Sequence, residues 1–320
     1  MTVTNLTLIG GGVLGSQIAY QSAFRGCHVT VWLRSEASIG RAKPKFERLH
    51  NLYLEDLEAC KAEVGKPAPR FPRAFFDDPA GVTEADIEAA KKQADAAYEG
   101  LVYELDLAKA VQDADLIIEA LAEDPKQKTE FYQKLAPVLP EKTILCTNSS
   151  TLLPSQFAEV TGAPERYMAL HFANEIWKNN TAEVMGHAGT RQDVYDAVVA
   201  FAKQIGMIPL CLKKEQPGYI LNSMLVPFLD AAEKLWANEV ADVETIDLTW
   251  KLATGAPAGP FQILDIVGLE TAYNISLMKP EAKDPTSITS KLIGMLKEKI
   301  DRGETGVNAG KGFYDYTKAE

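Results

Sequence analysis

Short runs of apolar residues recur through the first two thirds of the chain. They are Leu6–Ile9, Val29–Leu33, Leu101–Tyr103, Leu116–Ala120, Thr143–Thr147, Met168–His171, Ala182–Met185 and Ile208–Leu212. Each has strand length, and Leu116-Ile-Ile-Glu-Ala120 is almost wholly apolar, as a strand covered on both faces must be. Segments with helical apolar spacing lie between them: Val13–Phe24, Lys126–Leu135 and Gln192–Gln204. Strands alternating with helices predict an α/β fold with a largely parallel, doubly wound sheet. Two longer amphipathic stretches interrupt the alternation. Ile39–Val64 carries Phe46, Leu49, Leu52, Leu54 and Leu57 among many charges, and prolines at 67, 69, 72 and 79 end it. A second helix is predicted from Thr83 to about Ala97, because Asp86 lies at capping-box distance from Thr83. Together these predict a helical arm inserted at about residues 39–100. Beyond Pro217-Gly218 the pattern is helical throughout: Tyr219–Glu239, kinked at Pro227, then Val243–Thr254 and Thr286–Arg302. The length of 320 residues allows two cores. The expected division is 1–215, with the arm inside it, and an all-helical domain over 216–320.

The first strand runs directly into Gly10-x-Gly12-x-x-Gly15, a helix pattern follows, and a second strand comes at the βαβ distance. In that context each glycine has a task. Gly10 permits the turn, Gly12 lets the backbone approach a pyrophosphate, and Gly15 lets helix and strand pack closely. The first helical residues, Val13 and Leu14, then offer free N–H groups to phosphate. The first domain is therefore expected to be Rossmann-like and to bind a dinucleotide. The acid that normally closes the second strand and holds the ribose of NAD is missing. Leu33 stands there, followed by Arg34 and Ser35. A guanidinium without a carboxylate suits the 2′-phosphate of NADP, whereas Glu36 could turn in and serve NAD. The sequence leaves NAD or NADP open.

Bulk properties narrow the partners. The chain is 46% hydrophobic and 24% charged, with a net charge of −11. It lacks the basic stripes that nucleic acid or an anionic membrane would require, so neither is expected as a partner. No apolar run is long enough to span a bilayer and no secretory leader pattern is visible. The four cysteines (Cys27, Cys60, Cys146 and Cys211) lack metal spacing. A reducing, cytoplasmic setting and no metal site are expected.

Polar residues at the ends of apolar runs are the candidates for chemistry. Asn148-Ser149-Ser150-Thr151 follows the fifth strand, His171 closes the next, Glu183 lies on the strand after that, and Asn222 falls near the start of the long helix. Ligands of open α/β sheets collect at the carboxyl ends of strands. A histidine there can take the proton of a substrate hydroxyl while hydride leaves for a nicotinamide, and a carboxylate behind it fixes its tautomer. Taken singly, His171 could be an ordinary strand-end histidine, Ser150 a helix cap, Glu183 an edge-strand acid and Asn222 a locally bonded helix residue. His28, His50 and His187 carry only such ordinary readings. Trp177, just beyond the histidine strand, is a candidate lining residue.

Order and spacing supply what single residues do not. The chain resembles the 3-hydroxyacyl-CoA dehydrogenases, especially the short bacterial 3-hydroxybutyryl-CoA type. The resemblance rests on the glycine motif, Ala114-Asp-Leu-Ile-Ile-Glu-Ala-Leu-Ala-Glu123 with Lys128, Asn148-Ser-Ser150, His171-Phe-Ala-Asn174 and Glu183-Val184. It continues through Gln216-Pro-Gly-Tyr-Ile-Leu-Asn222, Gly255-Ala-Pro-Ala-Gly-Pro-Phe261 with Asp265 and Gly268-Leu269, and Gly306-x-x-x-Gly310-x-Gly312-Phe-Tyr314. The resemblance implies that His171 is the general base for oxidation and that Glu183 pairs with it. It implies that Ser150 and Asn222 bond the substrate oxygen and that Asn174 supports the histidine loop. Glu123, Lys128 and Asn148 would line the cofactor pocket. The reaction implied is hydride transfer between C3 of a short-chain 3-hydroxyacyl-CoA and a nicotinamide, without metal, in a homodimer formed through the C-terminal domain. The family's prolines after His-Phe-x-Asn are replaced here by Glu175-Ile-Trp-Lys-Asn-Asn180. That loop motivates a rival substrate: a free 3-hydroxy acid or sugar acid whose carboxylate would pair with Lys178, or a diketo ester. The other rival, a nucleotide-binding protein without catalysis, has no use for Ser150, His171, Glu183 and Asn222 together.

Overall fold

The computed structural model describes residues 2–317. It divides into two compact units, the first ending at Ile220 and the second beginning at Leu221.

The first unit is built on an eight-stranded sheet: β1 (Asn5–Ile9), β2 (His28–Trp32), β3 (Val102–Glu104), β4 (Leu116–Glu119), β5 (Ile144–Thr147), β6 (Tyr167–Phe172), β7 (Thr181–Met185) and β8 (Ile208–Cys211). Their spatial order is β3-β2-β1-β4-β5-β6-β7-β8. The first six strands pair in parallel. The order reverses between β1 and β4, the crevice where dinucleotides bind in such sheets. β4 and β5 are buried at every position, as their apolar runs require. β7 then turns back antiparallel to β6 and sets His171 directly opposite Glu183.

Helix α1 (Val13–Phe24) is buried almost continuously from Gly15 to Ser22, because the sheet covers one side and the inserted helices the other. The insert consists of α2 (Glu36–Cys60) and α3 (Glu84–Glu99). The predicted cap at Thr83 forms: its hydroxyl accepts the Asp86 N–H, and the Asp86 carboxylate accepts the Thr83 N–H. The insert is not a projecting arm. Phe46, Leu49, Tyr53 and Leu57, spaced to share one helix face, enter the same core as Ile18, Phe24 and the sheet. α2 also begins earlier than its apolar pattern suggests, at a Ser35 cap. The short α4 (Leu107–Val111), α5 (Pro125–Leu135) and α6 (Gln192–Gln204) complete the unit.

The second unit contains α7 (Leu221–Ala237), α8 (Val243–Thr254), α9 (Pro260–Val267), α10 (Leu269–Leu277) and α11 (Ile288–Asp301) around Leu229, Phe261, Leu264, Leu292 and Leu296. α7 starts at Leu221 and not at Tyr219, because Gly218 and Tyr219 both have positive φ (76° and 54°). α9 and α10 have no counterpart among the helices expected from the pattern. Glycines and prolines surround them and disguise the first as a loop. Asp247 of α8 makes α9 possible by accepting the N–H groups of Phe261 (2.8 Å) and Gln262 (3.0 Å) at its start. Among the described residues, no helix is long and apolar enough to cross a membrane.

Candidate active site

The glycine motif forms a cradle at the sheet's reversal point. Gly10 has φ +103°, and a Cβ on Gly15 would lie 2.6 Å from the Gly10 carbonyl oxygen. A Cβ on Gly12 would meet nothing within 4 Å, so this backbone is bare toward open space. Gly12 caps α1 without a side-chain bond, which leaves the first N–H groups of the helix, at Val13, Leu14 and Gly15, pointing outward. These features fit a pyrophosphate. The adjoining cleft, of about 440 Å³, is lined by Gly10–Gly12, Leu33, Arg34, Ser38, Arg41 and Lys45, among others. Leu33 is buried and packs toward Gly11. Arg41 donates to the Ser38 hydroxyl (3.0 Å), and Lys45 donates to the Gly11 carbonyl (3.1 Å). Glu36, the acid that could have served a ribose, is not among the lining residues.

The catalytic candidates converge at the ends of β5, β6 and β7. His171 Nδ1 lies 3.0 Å from Glu183 Oε2, and its Nε2 lies 3.2 Å from the Ser150 hydroxyl. The other Glu183 oxygen accepts the Ile220 N–H at 2.8 Å. A carboxylate at Nδ1 places a proton on that nitrogen and leaves Nε2 with its lone pair toward Ser150. Tyr219 stacks on the imidazole, with centroids 4.6 Å apart and planes 13° apart, while its hydroxyl donates to the Ser149 carbonyl at 2.7 Å. Burial pushes the Tyr219 hydroxyl well above its ordinary pKa, so it remains a neutral donor. The spacing of sequence motifs did not single out Tyr219. Its one signal was an aromatic residue directly after a boundary glycine.

Other expected site residues are differently employed. Glu123 is engaged with the chain around Ser150. Its Oε1 accepts from the Thr151 N–H and hydroxyl (both 2.8 Å), the Leu152 N–H and the Ser149 hydroxyl, and so it shapes the turn that carries Ser150. Partial burial opposes its charge, but those bonds hold the carboxyl below the usual range. Lys128 is completely buried. It donates to Glu119 Oε1 at 2.6 Å, so it supports the end of β4 rather than presenting an ammonium to the cleft. Glu119, which the motif reading missed, also accepts from Tyr132, Thr147 and the Leu121 N–H. Asn148 Oδ1 accepts the Phe172 N–H and joins the ends of β5 and β6. Asn174 is exposed, and its carbonyl accepts the Asn179 amide. Trp177 is not a pocket residue: it is 1% exposed and donates to Asp56. Lys178 pairs with the same carboxylate at 3.0 Å, so it is not a free cation for a substrate acid. Asn222 is the second residue of α7, in the helical unit. Among the described residues, no cluster of His, Cys, Asp or Glu could hold a metal.

A dinucleotide cradle beside a serine–histidine–glutamate relay defines a nicotinamide-dependent dehydrogenase. The comparisons narrow the class. Residues 78–216 match the model of the 3-hydroxyacyl-CoA dehydrogenase NAD-binding domain, and residues 218–316 match that of its C-terminal domain. The chain belongs to the 3-hydroxyacyl-CoA dehydrogenase family. It is 30% identical to the mitochondrial hydroxyacyl-coenzyme A dehydrogenase of Rattus norvegicus, over 98% of this chain and 91% of that one. A probable 3-hydroxybutyryl-CoA dehydrogenase of Bacillus subtilis is 26% identical, over 99% and 98%. A diketoreductase solved as a catalyst acting on dicarbonyl compounds is 47% identical, with a TM-score of 0.84 and coverage of 99% and 100%. The protein is thus an oxidoreductase with a nicotinamide cofactor.

Proposed function

We propose that the protein interconverts a 3-hydroxyacyl compound and its 3-oxo counterpart. The observation that carries this is the Ser150–His171–Glu183 relay at the ends of the central strands. In oxidation, Nε2 of His171 takes the proton of the C3 hydroxyl, and in reduction it returns that proton to the ketone oxygen. Glu183 holds the ring in the reactive tautomer and stabilises the imidazolium. Ser150, beside the reactive nitrogen, orients the substrate oxygen. The bound nicotinamide supplies or accepts the hydride.

The cofactor in this reading is NADP. Leu33 occupies the place of the ribose-binding acid, and Arg34, Ser38 and Arg41 line the cleft beyond it, where a 2′-phosphate would find charge and hydrogen bonds. Turnover with NADPH should exceed that with NADH. Replacing Arg34 and Arg41 by alanine should lower kcat/KM for NADPH roughly ten- to a hundredfold while NADH changes little. Preference for NADH in the unmodified protein would refute this assignment.

The first substrate choice is a short-chain 3-hydroxyacyl-CoA, supported by family membership over both units. The 47% identity to a diketoreductase favours a second reading, a dicarbonyl compound without coenzyme A. Reduction of acetoacetyl-CoA, free acetoacetate and a 3,5-diketo ester, assayed side by side, separates the two. A homodimer through the helical unit belongs to the same proposal, supported by the exposed apolar side chains of Leu248, Leu252, Ile266 and Met278. Sedimentation at twice the chain mass is the expected result.

A further inference from the structure

We propose that Asp56 is a positioning residue for catalysis: through Trp177 it ties the hairpin that carries His171 and Glu183 to the helix that walls the cofactor cleft. The proposal rests on His171 acting as the base.

His171 and Glu183 face each other across β6 and β7, and residues 173–180 connect those strands. A shift at either end of that connection displaces one partner of the relay against the other. The connection is secured from outside. The Trp177 ring is buried beside Tyr53 of α2 (centroids 5.1 Å apart), and its Nε1–H donates to Asp56 Oδ2 at 2.7 Å. Lys178 Nζ approaches the same oxygen at 3.0 Å. The Trp177 carbonyl accepts the Ala74 N–H at 3.0 Å. Glu175, held at φ +56°, donates its N–H to Gln17 of α1 at 2.7 Å. A non-glycine residue persists in that left-handed conformation only where its surroundings impose it.

The far side of the latch is as firm. Tyr53 donates to Gln21 of α1 at 2.7 Å, and the Gln21 amide donates to the Ile205 carbonyl at 2.8 Å. α2 contributes Ser38, Arg41 and Lys45 to the cofactor cleft from its first turns, and it carries Asp56 toward its other end. At about 1.5 Å of rise per residue, Asp56 lies far along the axis from Lys45. Losing the latch should therefore disturb the relay while leaving the cofactor cleft intact. An indole N–H sealed in a core needs an acceptor, and Asp56 is the one it has. The carboxylate is thus spent on geometry, and the active-site loop and the cofactor-binding helix behave as one rigid piece.

The test is a set of variants with separate readouts. Asp56→Ala removes the acceptor and releases Lys178. Trp177→Phe keeps an aromatic ring beside Tyr53 and removes the N–H together with the second ring of the indole. Both should lower kcat about ten- to a hundredfold, the scale of a misplacement near 1 Å, and lower the thermal midpoint by a few degrees, with NADPH dissociation constants close to the parent's. Asp56→Asn, which retains an acceptor for the indole, should recover most of the rate. The proposal is overturned if Asp56→Ala turns over within twofold of the parent. It is equally overturned if cofactor affinity falls along with the rate, or if Asp56→Asn is no better than Asp56→Ala. His171→Ala, run in parallel, separates the two readings: an active His171→Ala protein refutes the base itself, whereas an inactive one beside a normal Asp56→Ala refutes only the latch.

Discussion

Both units bury carboxylates, and they use them differently. In the α/β unit, Glu183 gives one oxygen to His171, and Glu119 accepts from Lys128, Tyr132 and Thr147. These acids orient other polar side chains at the strand ends. In the helical unit, Asp247 and Asp265 serve mainly the backbone. Asp247 accepts the first N–H groups of α9, and Asp265 accepts those of Phe313 (2.7 Å) and Tyr314 (2.9 Å) in the closing segment. Here a side chain supplies the hydrogen bonds that an irregular chain cannot make for itself. Glu233 of α7 does neither. It is 4% exposed, Oε1 has no hydrogen-bond partner, and burial pushes its carboxyl up to about 7. The residue type therefore says little; the donors around it decide whether a buried acid orients, replaces backbone bonds or only costs energy.

Three substitutions would sharpen or break that contrast. The largest effect is expected from His171→Ala, which removes the group that Glu183 orients. Turnover should fall roughly 10²–10⁴-fold with cofactor affinity preserved, as steady-state rates and a cofactor titration would show. Loss of binding instead would make this carboxylate pair structural, like those of the helical unit. Asp265→Ala comes next. It strands two backbone donors and should cost about 4 kcal/mol, read as a lowered denaturation midpoint. A cost below about 1 kcal/mol would mean that water replaces the carboxylate. Glu233→Gln is the smallest and has the opposite sign. A folded-state pKa near 7, against 4.5 unfolded, means the folded protein retains a proton that the unfolded chain releases. The contribution of Glu233 to stability is therefore greatest below pH 4.5 and falls as pH rises through 7, by about 3 kcal/mol at most. The amide should recover about 2 kcal/mol at pH 8 and nothing at pH 4.5. Equal midpoints for parent and variant at pH 8 would show that Glu233 is solvated.

Much of the site was legible because its logic is local or ordered. Glycines between a strand and a helix, the missing acid at Leu33 and the cap at Thr83 each declare themselves within a few residues. Trp177 and Lys178 were misread because their partner, Asp56, stands more than a hundred positions earlier on α2. Lys128, expected in the cofactor pocket, is enclosed with Glu119 beneath the strand end. The helix α9 was hidden by its own glycines and prolines. The glycine that precedes it is needed for packing: a Cβ on Gly259 would lie 2.3 Å from Asp247 Cγ.

By itself the amino-acid sequence determined the alternation of strands and helices, the glycine turn that opens the first helix and the polar residues that stand at the strand ends. Apolar period and glycine placement act through the nearest few residues, and such patterns can be read along a line. Tertiary structure decided which charges remain available. Asp56 holds Trp177 and Lys178, Glu119 holds Lys128, and Glu123 is spent on the Ser150 turn. Whether a buried charge is free or committed depends on donors brought together by the fold, and their separation along the chain carries no trace of it.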